Sequence, residues 1–340
     1  MRDSRPTIHD VASRAGVSKS LVSLAMRGSP KVSDASRDAI LTAASELGYR
    51  PNAAARSLAD RRSRTVGINI LDLHNPVFAE ILDGLQAEVR RHGYSTMLVT
   101  GGGDPQREQA ELDKLLEFQV EGLVLVSHRL STGALRDLAA EVPTVVVTRR
   151  DVTGPRIDTV ANDDVRGAGL AVEHLVGLGH RRITHLSGGD NPISRDREEG
   201  YLDAMAAAGL ADHARVVVGS LTDAGGYAAA VTALAEVDRP TALVVANDIA
   251  ALGAIAAVRD AGLQVPGDVS VVGYDGIALG GLRTIGLTTV AQPLDEMGTL
   301  AAQRLVQRIE HPRARAQHLT VDAHLVARDT TAPARARSGR

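Results

Sequence analysis

The sequence predicts an α/β protein with a basic, three-helix head and a larger body built from parallel sheets. Its 340 residues are more than one hydrophobic core usually supports. Residues 1–64 hold 12 Lys or Arg against 6 Asp or Glu, a charge of +6, and the whole chain carries −3, so the remainder carries −9. From residue 65 onwards, short apolar runs alternate with helical segments, a pattern typical of parallel sheets covered by helices.

Composition limits the classes of protein to consider. Hydrophobic residues make up 44% and charged residues 23% of the chain, as in ordinary globular proteins. The sequence contains no run of 18 apolar residues, the length needed to span a membrane. The polar start Met1–Pro6 does not resemble a secretory signal. The absence of cysteine excludes disulfides and cysteine-bound metals. We therefore expect a cytoplasmic protein with no membrane partner.

Sequence motifs give no support to an enzyme. No P-loop, HExxH or GxSxG pattern occurs, and the eleven histidines show no spacing typical of a metal site. The glycines Gly101-Gly102-Gly103 follow a predicted strand, but their spacing is not that of a dinucleotide-binding loop. We expect no catalytic residue, cofactor or metal.

The head, residues 1–50, is predicted to contain three short helices. Thr7 and Asp10 resemble a capping box at the start of the first helix, which Gly16 ends. Ser18 and Ser33 are predicted to cap the next two helices. The buried stripes at helical spacing are Ile8, Val11, Ala12 and Ala15, then Leu21, Val22, Ala25 and Met26, then Ile40, Ala43, Ala44 and Leu47.

A helix, a tight turn with glycine and a second helix form the helix-turn-helix arrangement, whose second helix enters the DNA major groove. The residues predicted to read bases are Lys19, Ser20, Ser23 and Arg27. Ser18, Ser33 and Ser36 lie at helix starts, where hydroxyls and backbone N–H groups can bind phosphates. The alternative for these serines is helix capping alone, and the alternative for the basic head is a charged tail without a partner.

Three ordered stretches resemble the LacI/GalR family of bacterial repressors: Thr7-Ile8-His9-Asp10-Val11-Ala12, Ala15-Gly16-Val17-Ser18 and Leu47-Gly48-Tyr49-Arg50-Pro51-Asn52. The resemblance adds Thr7, Tyr49, Asn52, Ala55, Arg56 and Leu58 to the expected DNA-binding residues. One departure is Leu24, where the family often has an arginine that reads bases, because leucine cannot form a bidentate contact with guanine. We hypothesise that base reading has shifted towards Lys19, Ser20 and Arg27.

Residues 51–64 are predicted to form a hinge. The segment 52–60 has the composition of a short helix, and helices of this length are marginal in water when isolated. The resemblance implies that two copies fold together on the minor groove and that Leu58 wedges between base pairs. The alternative is an ordinary Ala-rich linker in which Leu58 is a packing anchor.

The body, residues 65–328, has several predicted strands. They are Val66–Leu71, Ser95–Thr100, Gly122–Val126, Thr144–Thr148, Ile183–Leu186, Val216–Gly219, Ala242–Ala246 and Ser270–Gly273. Ligands of such folds bind at the carboxyl ends of strands. Residues 329–340 contain no apolar heptads and are predicted to form a flexible tail.

The body is similar to the periplasmic-binding-protein-like effector domain of the same family, in which two lobes joined by three crossovers close on a ligand. The crossovers are expected near residues 160–163, 289–292 and 319–322. Two of the residues expected to bind the effector have alternative roles: Phe78 could be a core residue, and Asp248 could cap a helix. Thr148 stands where the family often has Asp, and Leu221 near a position where some members have Trp. The expected effector-binding residues are Asp72, Phe78, Thr148, Arg197, Leu221, Asn247, Asp248 and Asp275.

Together, these predictions describe a regulatory protein rather than an enzyme. We expect a homodimer that binds a near-palindromic double-stranded DNA operator. We expect a polar small-molecule effector, such as a sugar, to control this binding. The sign of the response stays open, because the effector could release DNA or be needed to hold it. The alternatives are a sugar-binding protein of a transport system and an α/β enzyme.

Overall fold

The computed structural model describes residues 6–50 and 62–335, and it divides the chain into two compact units, Met1–Arg64 and Thr65–Arg340. The first unit is the helical head, and the second is the α/β body. No helix in the described part of the chain is both long enough and apolar enough to cross a membrane.

The head contains the three predicted helices, α1 (Ile8–Ala15), α2 (Lys19–Met26) and α3 (Asp34–Leu47). Gly16 and Gly48 end α1 and α3 with φ of 66° and 63°, the left-handed conformation that glycine adopts without steric cost. Val11, Val22 and Ile40, one from each helix, are fully buried at the centre of the head. The small apolar core therefore fixes α2 against its neighbours.

The body alternates strands and helices, as its sequence pattern predicts. Its strands are β1 (Thr65–Ile70), β2 (Ser95–Thr100), β3 (Gly122–Val126), β4 (Thr144–Val147), β5 (Ile157–Asn162), β6 (Ile183–Ser187), β7 (Arg215–Val218), β8 (Ala242–Val245), β9 (Ser270–Asp275), β10 (Thr288–Ala291), β11 (His318–Val321) and β12 (His324–Val326). Its α-helices are α4 (Pro76–Arg91), α5 (Pro105–Glu117), α6 (Thr132–Glu141), α7 (Asp164–Gly177), α8 (Pro192–Ala207), α9 (Asp223–Leu234), α10 (Asp248–Asp260) and α11 (Leu294–Glu310).

Two six-stranded sheets give the body its two lobes. Lobe 1 has the strand order β11-β5-β4-β3-β1-β2, and lobe 2 has the order β12-β10-β9-β8-β6-β7. All neighbouring strands are parallel except β10 and β12. The central strands are buried on both faces, because α4 and α11 cover one face of lobe 1 and α5 and α6 the other. In lobe 2, α9 and α10 cover one face and α7 and α8 the other.

The chain passes between the lobes three times, which confirms the predicted crossovers. It leaves lobe 1 after β5 at Asn162, returns after β10 at Ala291, and leaves again between β11 and β12. Both sheets therefore direct the carboxyl ends of their parallel strands towards loops that face a common cleft.

The structure corrects the sequence prediction in two places. It contains β5, β10, β11 and β12, which were not predicted as strands, because they are short or carry polar residues such as Asp158 and His318. The prediction of a flexible tail from residue 329 is wrong for residues 329–335. Thr330 is buried beside β9, where its hydroxyl donates to the Val271 carbonyl and accepts from the Thr288 N–H.

Candidate functional site

The exposed start of α2 is the predicted base-reading surface. The Ser18 hydroxyl accepts from the Leu21 N–H at 3.2 Å and caps the helix. Lys19 and Ser20 follow with exposed side chains. Arg27, at the other end of α2, donates through Nη2 to the Ser23 hydroxyl at 2.9 Å, which brings the guanidinium onto the same helix. The structure thus places three of the predicted readers, Lys19, Ser20 and Ser23, on α2 and the fourth, Arg27, directly after its last residue.

The remaining head residues have identifiable structural roles. Thr7 and Asp10 form the predicted capping box, in which hydrogen bonds from the Thr7 backbone and hydroxyl lower the pKa of the Asp10 carboxyl. Ser33 caps α3, and its hydroxyl donates to that of Ser36 at 2.9 Å. Tyr49 and Leu24 are half-buried against the head core. The predicted contacts of Asn52, Ala55, Arg56 and Leu58 lie outside the described residues.

A cleft of about 750 Å³ lies at the carboxyl ends of the strands of both lobes. This volume is within the usual range for small-molecule sites. Lobe 1 contributes loops that follow β1 to β4, and lobe 2 contributes loops that follow β6 to β9. Seven of the predicted effector-binding residues line it, namely Asp72, Phe78, Thr148, Arg197, Leu221, Asn247 and Asp275.

Asp248 does not line the cleft, so the structure does not bring this predicted residue to the ligand. Its carboxylate is fully buried, accepts from the backbone N–H groups of Gly276 and Ile277, and accepts from the Thr289 hydroxyl. It ties the start of α10 to the loop after β9 and to β10. The neighbouring Asn247 caps α10 through its Oδ1 and also faces the cleft.

The lobe 2 wall is organised around a buried arginine. Arg197 Nε lies 2.8 Å from Asp164 Oδ1, its Nη1 lies 3.3 Å from Asp275 Oδ1, and its guanidinium lies 3.6 Å from the centre of the Tyr274 ring. Burial opposes its charge, but Asp164 and Asp275 outweigh that effect and raise the pKa of Arg197. Burial raises the pKa of Asp275 to about 6 even though Arg197 opposes the shift. Electrostatic attraction therefore holds the side chains of Arg197, Asp164 and Asp275 in fixed positions.

Three residues of the cleft wall have left-handed backbone conformations that side chains rarely adopt. Ser127 has a φ of 54°, Thr148 of 77° and Asp275 of 115°. The Ser127 and Thr148 hydroxyls are 2.7 Å apart and buried. Such backbone strain persists only where surrounding packing imposes it, and it concentrates at functional sites.

Of Phe78, Tyr201, Tyr227 and Tyr274 in the body, Phe78 lines the cleft, and it also packs in the lobe 1 core. Tyr201 is buried with its hydroxyl on the Ile183 carbonyl, and Tyr227 donates to Asp260. Tyr274 lies beneath Arg197. The cleft therefore offers a ligand one aromatic side chain, that of Phe78, together with aliphatic and polar groups.

The structure adds lining residues that the sequence analysis did not identify. His128 and Arg129 follow β3, and the rule that places sites at strand ends could have found them. Asp164 follows β5, which was not predicted as a strand, so that rule could not be applied. Gln292 follows β10, and its Nε2 donates to Asp275 at 2.7 Å.

Comparison with known proteins identifies the family. Residues 7–52 match the model described as bacterial regulatory proteins, lacI family, and residues 172–331 match a periplasmic binding protein-like domain. The ribose operon repressor of Haemophilus influenzae is 34% identical over 326 residues, which cover 95% of this chain and 98% of that protein. This chain belongs to the lacI family of bacterial regulatory proteins.

Further members of the lacI family match over most of their length. The transcriptional regulator GalR of Escherichia coli is 35% identical over 300 residues, 87% of each chain. The structure of the lac repressor dimer bound to operator and the anti-inducer ONPF has a TM-score of 0.86 and 29% identity, and it covers 97% of this chain and 100% of its own. A LacI-family regulator from Enterococcus faecium with bound ribose has a TM-score of 0.73 and 27% identity, over 80% of this chain and 100% of that one.

Membership of the lacI family settles the general class of this protein. It is a transcriptional regulator with a helix-turn-helix head and a two-lobed effector domain, as the resemblance of its sequence implied. The relatives are named as repressors and regulators rather than as enzymes.

Proposed function

We propose that this lacI-family regulator is a homodimeric repressor that binds a near-palindromic operator and responds to a small hydroxylated metabolite, such as a sugar. The observation that carries the proposal is the combination, in one chain, of an exposed helix-turn-helix surface on α2 and a cleft lined by polar and apolar residues at the strand ends of the body. A sugar-binding protein of a transport system would use the cleft but would leave the head without a role.

The proposed DNA surface is the start of α2. Lys19 and Ser20 are exposed one and two residues after the Ser18 cap, where a recognition helix presents side chains to base edges. Leu24 packs against the head core, which supports the hypothesis that Lys19, Ser20 and Arg27 read the bases. Ser33 and Ser36 stand at the start of α3, where backbone N–H groups can meet a phosphate.

Relatives support the proposed dimer, because a lac repressor dimer is bound to its operator in one of the similar structures. Two heads related by a two-fold axis would require a near-palindromic site. Residues 51–64 would form the hinge, with Leu58 at the minor groove. The proposed site of action is the cytoplasm, where a bacterial regulator meets its DNA.

We propose that the cleft binds its ligand without turnover. Asp164 and Asp275 are held by Arg197, so these two buried carboxylates are arranged to accept hydrogen bonds from hydroxyls at fixed positions. Asn247 and Gln292 add amide groups to the same wall. We propose that ligand binding alters the relative position of the lobes and couples to DNA affinity by about 1–3 kcal/mol, or roughly 5–150-fold.

The test begins with selection of binding sites from random duplex DNA by the full-length protein. Fluorescence anisotropy then measures affinity for the selected site, with and without a panel of sugars. Lys19→Ala is expected to weaken specific binding about 10-fold or more, since one good base contact is worth about 1–3 kcal/mol. The matched control Lys114→Ala removes an exposed lysine from α5 of the body and should leave the affinity unchanged.

Failure to select any preferred duplex would overturn the proposal. Equal losses for Lys19→Ala and Lys114→Ala would contradict the assignment of α2 as the reading helix. Turnover of any tested sugar would contradict the proposal that the cleft only binds.

A further inference from the structure

Three arginines line the cleft, and two of them already have carboxylate partners. Arg197 contacts Asp164 and Asp275, and Arg149 donates through Nε and Nη2 to Asp151 at 2.9 and 2.6 Å. Arg129 lines the same cleft with an exposed side chain, and no carboxylate of residues 6–50 or 62–335 forms an ion pair with it. Within the described ranges, this guanidinium therefore has no carboxylate at ion-pair distance, and its charge acts on the buried Glu108 only from farther away.

The backbone of Arg129 is held firmly in the loop after β3. Its N–H donates to Glu108 Oε2 at 2.7 Å, and Glu108 is fully buried on α5. Gly101 lies against Glu108, because a Cβ at Gly101 would be 2.1 Å from Glu108 Cγ. This close packing fixes the loop from which the Arg129 guanidinium extends.

The preceding residue, His128, supplies a second hydrogen-bond donor. Arg149 Nη1 lies 3.4 Å from His128 Nδ1, and a guanidinium can only donate, so Nδ1 must accept. Burial, followed by the charge of Arg149, lowers the pKa of His128 to about 3. The neutral ring therefore carries its proton on Nε2.

That Nε2–H is buried and has no hydrogen-bond partner in the described part of the protein, although His128 lines the cleft. A buried donor without an acceptor costs free energy that a bound ligand can recover. We call His128 and Arg129 the donor corner. It places the exposed Arg129 guanidinium next in sequence to the His128 ring, whose Nε2–H is buried, at the carboxyl end of β3.

We propose that the effector is a hydroxyl-rich small molecule that carries an oxyanion, a phosphate or a carboxylate, and that the donor corner binds this group. The inference rests on the proposed function and specifies its ligand class. An oxyanion presents only acceptors, which match the donors of His128 and Arg129. The hydroxyls would face lobe 2, where Asn247, Asp275 and Gln292 line the cleft.

The other lining carboxylates do not occupy the donor corner. Asp72 lies on the loop after β1 and accepts from the His74 backbone and ring. Asp223 is exposed at the start of α9, in lobe 2. A ligand with hydroxyls at one end and an oxyanion at the other therefore matches the distribution of charge across the cleft.

Calorimetry on the full-length protein tests this with matched probes: ribose, ribose 5-phosphate and ribonate, then glucose, glucose 6-phosphate and gluconate, with inorganic phosphate alone. At least one phosphate or acid is expected to bind about 10-fold or more tightly than its neutral parent, as charge-assisted hydrogen bonds require. The phosphate and acid arms show which oxyanion the corner accepts.

Variants of Arg129 assign the effect to the donor corner. Arg129→Gln should remove the preference for the anion and change affinity for the neutral sugar less than about 2-fold, whereas Arg129→Lys should retain part of the preference. The control Arg136→Gln removes an exposed arginine of α6 outside the cleft and should change neither affinity. Thermal unfolding checks that each variant is folded.

A neutral sugar that binds as tightly as its phosphate and acid, or the absence of binding by every phosphate and acid, would overturn the inference. An equal loss for neutral and anionic probes in Arg129→Gln would do the same. Measurements of operator binding distinguish a failure of this inference from a failure of the proposed function. If neutral sugars alone change DNA affinity, the proposed function stands and the anion assignment is wrong. If no duplex is preferred at all, the proposed function is wrong whatever the calorimetry shows.

Discussion

The two lobes share one architecture, but an arginine that lines the cleft is paired with carboxylates in lobe 2, whereas Arg129 of lobe 1 is not in an ion pair within the described residues. Their sheets have equivalent strand orders, and in each lobe a short C-terminal strand completes the sheet, parallel in lobe 1 and antiparallel in lobe 2. In lobe 2, Arg197 is enclosed by Asp164 and Asp275. In lobe 1, Arg129 extends into the cleft without such partners.

This difference shows that position in the fold and chemical role are separate properties. Both arginines face the cleft, but the buried one is neutralised by its own chain and fixes the shape of the lobe 2 wall. The exposed one keeps its charge available for a ligand. A buried ion cluster is sensitive to the loss of one member, whereas an exposed charge contributes little to stability.

The largest expected effect in this comparison comes from Arg197→Met. The substitution leaves Asp164 and Asp275 buried without their cation, and breaking a buried ion pair typically costs about 3–5 kcal/mol. Urea unfolding should show this loss of stability. Arg195→Met, on the same helix but exposed and paired with exposed Asp190, should cost about 0–1 kcal/mol. Similar losses for both variants would mean that the cluster around Arg197 does not stabilise lobe 2.

Gly200→Ala tests the helix packing that holds this cluster together. Arg197 is on α8 and Asp164 is on α7, and a Cβ at Gly200 would lie 2.1 Å from the Val165 carbonyl oxygen of α7. Separation of the two helices should cost about 1–3 kcal/mol and weaken effector binding. At Gly177, a Cβ would meet no atom within 4 Å, so Gly177→Ala should stabilise the protein by about 0.5–1 kcal/mol in the same unfolding assay. A stable Gly200→Ala variant would show that α7 and α8 can separate freely.

Asp248→Asn should change the pH dependence of stability. Burial, with a contribution from Asp275, raises the pKa of Asp248 to about 7, above the value of about 3.9 in an unfolded chain. The folded state therefore binds more protons between about pH 4 and pH 7, so the free energy of unfolding falls as pH rises through that window. The variant should reduce this slope by up to about 1.4 kcal/mol per pH unit, as measured by urea unfolding from pH 5 to pH 8. Asp83→Asn, on an exposed part of α4, is the control. An unaltered slope would contradict the shift.

The smallest expected effect concerns a helix end in lobe 1. Gln119 follows α5 with a left-handed φ of 55°, whereas Gly209 and Gly262 occupy such positions after α8 and α10 in lobe 2. Gln119→Gly should therefore raise the free energy of unfolding by about 0.5–1 kcal/mol, because glycine adopts this conformation without steric cost. Gly209→Gln should lower stability by a similar amount. Destabilisation by Gln119→Gly would show that side-chain contacts of Gln119 outweigh its backbone strain.

Sequence patterns located most of the elements that position the cleft. The apolar runs of β3 and β8 were predicted within one residue of their observed bounds, since buried strands of parallel sheets are continuously apolar. Prediction failed for strands that carry polar residues with tertiary partners. In β5, Asp158 contacts Arg304 and Arg308 of α11, almost 150 residues away, and no local pattern contains that partner.

By itself, the sequence determined the head helices, the alternation of strands and helices and the family, because these depend on local caps, on hydrophobic periodicity and on contiguous motifs. It also determined some of the polar residues that follow strands, such as Asp72, Thr148 and Asn247. Only the tertiary structure decided what each of those residues contacts. It buried Asp248 beneath the cleft wall, packed Thr330 against β9 and left Arg129 exposed beside His128. The reason is physical: burial and ion pairing depend on groups that are far apart in the chain and meet only when both sheets have formed.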